Sequence, residues 1–154
     1  MDEPAIPSIR RTSFGADVAL RVGMAALQGL QIVCIDDHAD TLELLRFILE
    51  MHGARPYTAV TAGQGLWLLS RIGARVVIID LALPDIDGIT LMKDLRTMPA
   101  FKSGDLQVIV LSAHCSERDR RAALMAGVSR FLSKPFDEKQ LVACIQSLVG
   151  ARAA

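Results

Sequence analysis

Short apolar runs alternate with helical patterns along most of the chain, and this alternation predicts the fold. Three runs, 32–35, 76–79 and 108–111, are continuous and rich in β-branched residues, which is typical of parallel strands that are buried on both faces. Two weaker runs, 55–60 and 130–132, are expected to form edge strands. The first contains a proline, which cannot donate a ladder hydrogen bond, and the second is very short.

Five further segments carry apolar residues at helical spacing, and they lie between and after the strand candidates: 40–51, 64–72, 90–98, 117–125 and 137–149. Gly127 suits a helix C-terminus, and Asp137 can cap the start of the last helix. Because each crossover between parallel strands places its helix on a face of the sheet, the pattern predicts an α/β fold with a doubly wound five-stranded parallel sheet. Trp67 is assigned to packing, and His38 and His52 to surface or helix-end positions.

Composition narrows the class of protein. The chain has 154 residues, formal net charge +0 and no run of like charges, so no electrostatic feature favours nucleic-acid binding. No stretch approaches the roughly 18 apolar residues that span a bilayer, so we expect no membrane segment. Three scattered cysteines without a C-x-x-C motif predict reduced thiols and a cytoplasmic location rather than a disulfide framework.

The two ends of the chain differ from its middle. Residues 1–29 contain two prolines and mixed charges without a period, so we expect a flexible N-terminal tail or linker, in which 16–27 carries an apolar stripe suited to a short helix. Residues 30–150 are expected to form one domain, and 151–154 a short C-terminal tail.

Polar residues stand at the carboxyl ends of the predicted strands. The first strand is followed by Asp36 and Asp37, the third by Asp80, the fourth by Ser112 and the fifth by Lys134. Because the carboxyl ends of parallel strands lie at one edge of a sheet, where ligands bind, we expect these five side chains to share a pocket.

The chemistry of this pocket follows from its charges. Three neighbouring carboxylates repel one another and lose hydration on burial, so they require Lys134 and a divalent cation as counter-charges. A site of oxygen ligands without imidazole suits Mg²⁺ or Mn²⁺. Asp80, beside the cation and the lysine, is then suited to act as the nucleophile of a phosphoryl transfer, with the Ser112 hydroxyl donating to a phosphoryl oxygen.

Four motifs at these positions resemble the receiver domain of two-component response regulators: IDD at 35–37, IIDLALPDIDG at 78–88, LSA at 111–113 and FLSKPF at 131–136. The resemblance extends over about residues 31–149. It implies that 30–150 is a receiver domain with the flavodoxin-like (βα)5 fold and the strand order 2-1-3-4-5.

The resemblance also implies roles for the acids. Asp80 matches the phosphoacceptor, which takes a phosphoryl group from a histidine of a partner kinase or histidine phosphotransfer protein. Asp37 matches the acid that binds the metal directly, and Asp36 its outer-shell companion. Asp80 and the backbone carbonyl of Ala82 would complete the protein ligands to Mg²⁺.

Other matched positions concern the phosphoryl group and the switch. Ser112 and Lys134 match the hydroxyl and lysine that contact the phosphoryl group, and Pro135 matches a cis proline. Phe131 matches the aromatic switch that turns inward on phosphorylation, although its alternative role is that of a core aromatic. Ala82 and His114 match positions at which the side chain tunes the rate of loss of the phosphoryl group.

The expected partners and the alternatives follow from this assignment. In the family, the face made by the fourth helix, fifth strand and fifth helix shifts on phosphorylation, so a downstream protein or a dimer mate would bind it. The chain carries no output domain, which suits a stand-alone regulator or the C-terminal receiver of a hybrid histidine kinase. The module would catalyse only its own phosphorylation and dephosphorylation.

Two other readings of the sequence stay open. A haloacid-dehalogenase-type phosphohydrolase also forms an aspartyl phosphate, but it needs a second acid two residues after the nucleophile, where this chain has Ala82. A pseudo-receiver would bind partners without phosphorylation, and the complete set of pocket residues disfavours it.

Overall fold

The five strands form one parallel sheet. The computed structural model of the protein describes residues 27–113 and 116–153, and in these parts of the chain every strand pair is parallel. The strand order β2-β1-β3-β4-β5 confirms the expected order, and the weak strands β2 and β5 lie at the edges as predicted. The strands are β1 (Gln31–Ile35), β2 (Arg55–Ala59), β3 (Val76–Asp80), β4 (Gln107–Ser112) and β5 (Arg130–Ser133).

Five helices connect and follow the strands, in the predicted sequence order: α1 (Ala39–Met51), α2 (Ala62–Arg71), α3 (Gly88–Arg96), α4 (Glu117–Met125) and α5 (Glu138–Ala153). A one-turn helix, Pro99–Lys102, lies between α3 and β4 and was not predicted. Proline suits the first position of a helix because the N–H at that position has no acceptor within the helix, so its absence costs no hydrogen bond. The last helix continues to Ala153 instead of ending at 149. None of the helices in the described part is long and apolar enough to cross a membrane.

The sheet separates two apolar layers. On one side, alternate strand residues such as Ile32, Cys34 and Ile78 pack with α1 and α5. On the other side, residues such as Val33 and Val77 pack with α2, α3 and α4. All five residues of β3 are buried, as expected for a central strand covered on both faces. Burial also raises the pKa of the Cys34 thiol to about 12, so this cysteine is a core residue.

The described chain begins inside the packed domain. Leu27 and Leu30 are buried in the layer between the sheet, α1 and α5, and the Leu27 N–H donates to the carbonyl of His52 at 3.2 Å. The last residues of the expected tail, 27–29, are therefore part of the fold. Residues 1–26, with most of the expected short helix, lie outside the described residues, as does residue 154.

Side-chain caps fix where the helices begin. Thr61, Asp87 and Ser116 each accept a hydrogen bond from a backbone N–H in the first turn of the helix that follows. Asp137 accepts from the Gln140 N–H at 2.7 Å, while the Gln140 side chain accepts from the Asp137 N–H at 3.2 Å. This reciprocal pair is a capping box, and it confirms the predicted cap of the last helix.

Trp67 is on the outer side of α2, so its assignment to packing was wrong. The residue is 57% exposed, and the guanidinium carbon of Arg71 lies 4.9 Å from the ring centroid. The buried positions of α2 are Ala62, Gly65 and Leu69, which places residue 67 on the opposite side of the helix.

Gly65 allows α2 to approach β1 closely, and this contact generates a prediction. A Cβ at this position would lie 2.2 Å from Cδ1 of Ile35, a buried side chain. Overpacking of this kind costs about 1–3 kcal/mol, against a gain of about 1 kcal/mol in helix propensity. We therefore expect Gly65→Ala to lower the urea midpoint of unfolding.

Gly150 provides the matched control for this substitution. It lies within α5, and a Cβ there would meet no atom within 4 Å. Gly150→Ala should therefore raise the urea midpoint through helix propensity alone. A midpoint for Gly65→Ala at or above that of the wild type would contradict the close approach.

Candidate functional site

The site lies at the carboxyl edge of the sheet, where the central strands end in polar residues. Asp80 is the last residue of β3 and is paired with Leu111, one residue before the end of β4 at Ser112. Asp36 follows β1 directly, and its N–H donates to the Ala59 carbonyl at 3.0 Å. Lys134 follows β5 directly. The sheet thus brings residues from four strands to one edge, as the sequence predicts.

Lys134 lies between two buried acids. Its Nζ donates to Oδ2 of Asp36 at 2.8 Å and to Oδ2 of Asp80 at 3.1 Å. Burial by itself lowers the pKa of Lys134, but the hydrogen bonds and charges of the two carboxylates outweigh it, so the pKa is raised above the ordinary value. The ammonium is therefore a permanent positive charge at neutral pH.

Both oxygens of each buried acid accept a hydrogen bond: Lys134 donates to Oδ2 of each, and the donor to Oδ1 differs. Both oxygens of Asp36 accept hydrogen bonds, since Oδ1 accepts from the His38 N–H at 2.9 Å while Oδ2 accepts from Lys134. In Asp80, Oδ1 accepts from the Ala82 N–H at 3.0 Å. Asp36 is 1% exposed and Asp80 is 6% exposed, so Asp80 lies slightly nearer to solvent.

His38 is a site residue that the sequence analysis missed. The residue precedes α1, and its Nδ1 lies 3.0 Å from Oδ1 of Asp36, 3.1 Å from Oδ1 of Asp37 and 3.9 Å from Oδ2 of Asp80. The hydrogen bond to Asp36, followed by the charge of Asp37, raises the pKa of the imidazole. The expectation of a pocket without imidazole was therefore wrong. The one sequence feature that could have indicated the role of His38 is its position directly after Asp37.

The acids form a group that could hold a metal ion. Ligand atoms of Asp36, Asp37, His38 and Asp80 all lie within 4.8 Å of one another. Asp37, with 35% of its side chain exposed, faces solvent from which a cation would enter. Carboxylate oxygens suit hard divalent cations such as Mg²⁺ and Mn²⁺, so the donor set fits the expected cofactor.

Of the remaining predicted residues, those that the structure describes lie at the ends of β4 and β5 and in β5 itself. The backbone carbonyl of Ser112 accepts from the Lys134 N–H at 2.9 Å, and the Lys134–Pro135 peptide bond is cis. Phe131 is half-buried in β5, and the guanidinium carbon of Arg120, on α4, lies 5.4 Å from its ring centroid. His114 lies outside the described residues.

The loop after Asp80 is anchored by two acids that serve as turn and cap residues. Asp85 accepts from the N–H groups of Ala62 and Gly63, at the start of α2, both at 2.9 Å. These two hydrogen bonds hold the pKa of Asp85 below its usual value. Asp87 caps α3 through the Thr90 N–H. The loop is thus fixed between two helix N-termini.

Comparisons with known proteins agree with this geometry. A family model described as the response regulator receiver domain matches residues 32–146. The chain is 38% identical over 123 residues to an uncharacterized 14.6 kDa protein in the sodA1 3′ region of Leptolyngbya boryana, covering 80% of this chain and 92% of that protein. It is 39% identical over 112 residues to the KDP operon transcriptional regulatory protein KdpE of Escherichia coli (strain K12), covering 73% of this chain and 48% of that protein. The chain thus spans about half the length of this transcriptional regulator.

Solved structures show the same fold. A CheY-like response regulator receiver domain protein from Methanospirillum hungatei JF-1 superposes with a TM-score of 0.75 at 23% identity, over 82% of this chain and 98% of that one. The receiver domain of the Francisella response regulator 1452 gives a TM-score of 0.71 at 26% identity, over 80% and 99%.

The position of Lys134 predicts its effect on stability. Lys134→Met would leave Asp36 and Asp80 buried together without the ammonium, and leaving buried polar or charged groups unpaired costs on the order of 1–3 kcal/mol. We expect this loss in the free energy of unfolding, measured with urea at neutral pH and with EDTA present. Lys102→Met, at an exposed lysine of the one-turn helix, should stay within about 0.5 kcal/mol of wild type. Equal losses in the two variants would contradict the role of Lys134 as counter-charge.

Proposed function

The chain belongs to the response regulator receiver domain family, and on this premise we propose that it is a phosphoacceptor module in which Asp80 receives a phosphoryl group. The donor is a phosphohistidine of a partner histidine kinase or histidine phosphotransfer protein. The observation that carries this proposal is the environment of the Asp80 carboxylate. One of its oxygens meets the Lys134 ammonium and the other a backbone N–H, beside a group of acids that could hold a metal.

Asp80 is the best acceptor among the three acids of the pocket. Asp36 is the most deeply buried of the three, with 1% of the residue exposed against 6% for Asp80, and so its oxygens are the least accessible. Within the described part of the chain, the Lys134 ammonium contacts Asp80 but not Asp37. A nucleophile needs both an accessible oxygen and a nearby positive charge for the transferred group, and this combination favours Asp80.

The transfer itself requires little covalent chemistry from the protein. A carboxylate oxygen of Asp80 forms a bond to phosphorus while the P–N bond to the donor imidazole breaks, and the imidazole leaves as the neutral ring after taking a proton from solvent. Lys134 and the Ser112 hydroxyl would stabilise the charge on the phosphoryl oxygens, because positioning and electrostatics dominate such transfers. The chain is thus a signalling domain that promotes its own phosphorylation and dephosphorylation.

Mg²⁺, or Mn²⁺ in its place, would be the cofactor. Asp37, Asp80 and the backbone carbonyl of Ala82 would hold the ion, with Asp36, the more deeply buried acid, in the outer shell. When bound, the cation would neutralise the negative charge of the acids that Lys134 alone does not balance. It would also bring the phosphoryl oxygens toward Asp80. The side chains at Ala82 and His114 would tune how fast the phosphoryl group is lost.

The switch would run through Ser112 and Phe131. Val110 and Phe131 are paired across β4 and β5, and Arg120 of α4 lies against the Phe131 ring. A movement of Phe131 on phosphorylation would therefore reach α4, and a downstream protein or a second copy that prefers one state of the α4–β5–α5 face would detect it. No nucleic-acid or membrane partner is part of this proposal.

The wider role is proposed from the relatives. KdpE is named as a transcriptional regulatory protein and is about twice as long as the matched segment, so its output function does not transfer to this chain. The match covers 92% of the 14.6 kDa relative, which supports a stand-alone cytoplasmic regulator, with the C-terminal receiver of a hybrid histidine kinase as the alternative.

The phosphoacceptor role predicts the result of labelling with acetyl phosphate. In the presence of Mg²⁺, wild-type protein should incorporate radiolabelled phosphoryl groups, and Asp80→Asn should incorporate none because the amide is not a nucleophile at phosphorus. Asp94→Asn is the control, since Asp94 is an exposed acid of α3 that is not part of the acidic group. It should label as the wild type does, and EDTA should suppress labelling of both.

Two outcomes would remove Asp80 as the acceptor. One is labelling that persists in Asp80→Asn, and the other is equal loss in Asp80→Asn and Asp94→Asn. Multiple turnover of a small phosphoester by the wild type would instead favour a phosphohydrolase.

A further inference from the structure

His38 adds a nitrogen ligand to the acidic pocket, and we propose that it makes this pocket selective for transition-metal cations such as Co²⁺ and Zn²⁺ over Mg²⁺. This inference rests on the proposed metal site and extends it. Oxygen donors alone would predict a Mg²⁺ site, whereas the structure places an imidazole among the same acids.

The distances suit ligation of one ion. Nδ1 of His38 lies 3.0 Å from an oxygen of Asp36, 3.1 Å from an oxygen of Asp37 and 3.9 Å from an oxygen of Asp80. Ligand atoms bound at about 2.1 Å from one metal are separated by about 3.0 Å when they are neighbours in an octahedron, and by about 3.4 Å in a tetrahedron. The separation of His38 from Asp37 therefore fits two neighbouring ligands of one ion, whereas the 3.9 Å to Asp80 is longer than either value.

The ring is held by the acids rather than by the core. The His38 side chain is 64% exposed, so apolar packing does not fix it. Its backbone N–H donates to Asp36 and its peptide leads directly into α1, which keeps the residue beside the pocket. A cation bound by His38 would replace the Nδ1 proton that is donated to Asp36, and because the ring is exposed this exchange would leave the apolar core undisturbed.

The chemistry of the donor atoms sets the selectivity. Mg²⁺ prefers oxygen and keeps several waters, so one imidazole adds little to its affinity. Co²⁺ and Zn²⁺ bind imidazole well and lie later in the order of intrinsic affinity. A transition-metal cation held by His38 and the acids would occupy the Mg²⁺ position and compete with Mg²⁺ for the phosphoacceptor pocket.

The experiment titrates the full chain with Co²⁺, followed by its visible absorption, and with Mg²⁺, followed by calorimetry. His38→Asn should lower the Co²⁺ affinity about tenfold or more, shift the Co²⁺ absorption toward that of an all-oxygen site, and leave the Mg²⁺ affinity nearly unchanged. Asparagine is a favourable residue before a helix, so the fold should persist, which the urea midpoint checks.

Two results would overturn the proposal. The first is an equal effect of His38→Asn on both cations, including higher affinity for both, because His38 would then act only as an internal counter-charge. The second is no effect of His38→Asn on either cation. Failure of the proposed function would look different, since Mg²⁺ would then not bind the wild type or would bind equally well to Asp37→Asn.

Discussion

Repulsion among buried carboxylates at one edge of the sheet is the constraint on which the rest of the site depends. Asp36 and Asp80 are both buried, and Lys134 lies between them with hydrogen bonds to each. One ammonium cannot neutralise three carboxylates, so the pocket keeps an excess of negative charge. This excess is a cost to the folded domain, and it is also what gives the pocket its affinity for cations and, through them, for a phosphoryl group.

The parallel sheet makes this concentration of charge possible. Lys134 is 98 positions from Asp36 and 54 positions from Asp80 along the chain, yet both contacts form because every strand ends at the same edge. The apolar layers on the two faces hold the strands in register, while the loops carry the polar residues. Capping of α2 and α3 by Asp85 and Asp87 fixes the loop that follows Asp80, so the acceptor lies on a rigid support.

Much of this could be predicted from the sequence because it depends on strand ends. The β-branched runs predict the strands, and the polar residues after them predict the pocket, whereas the strand order came from the family resemblance. Features that depend on the rotation of a single helix or ring could not be predicted. Trp67 lies outward because Gly65 faces β1, and His38 turns toward the acids although it is exposed. Both results reflect three-dimensional neighbours that no local pattern contains.

The most direct test of the account is to identify the phosphorylated residue chemically. Wild-type protein would be treated with acetyl phosphate and Mg²⁺ and then with borohydride, which reduces an acyl phosphate to an alcohol and so converts the modified aspartate to homoserine. Mass spectrometry of the peptides should find homoserine at position 80 alone. Homoserine at position 36 or 37, or a modified His38 without any homoserine, would contradict the claim that the pocket presents Asp80 as its phosphoacceptor.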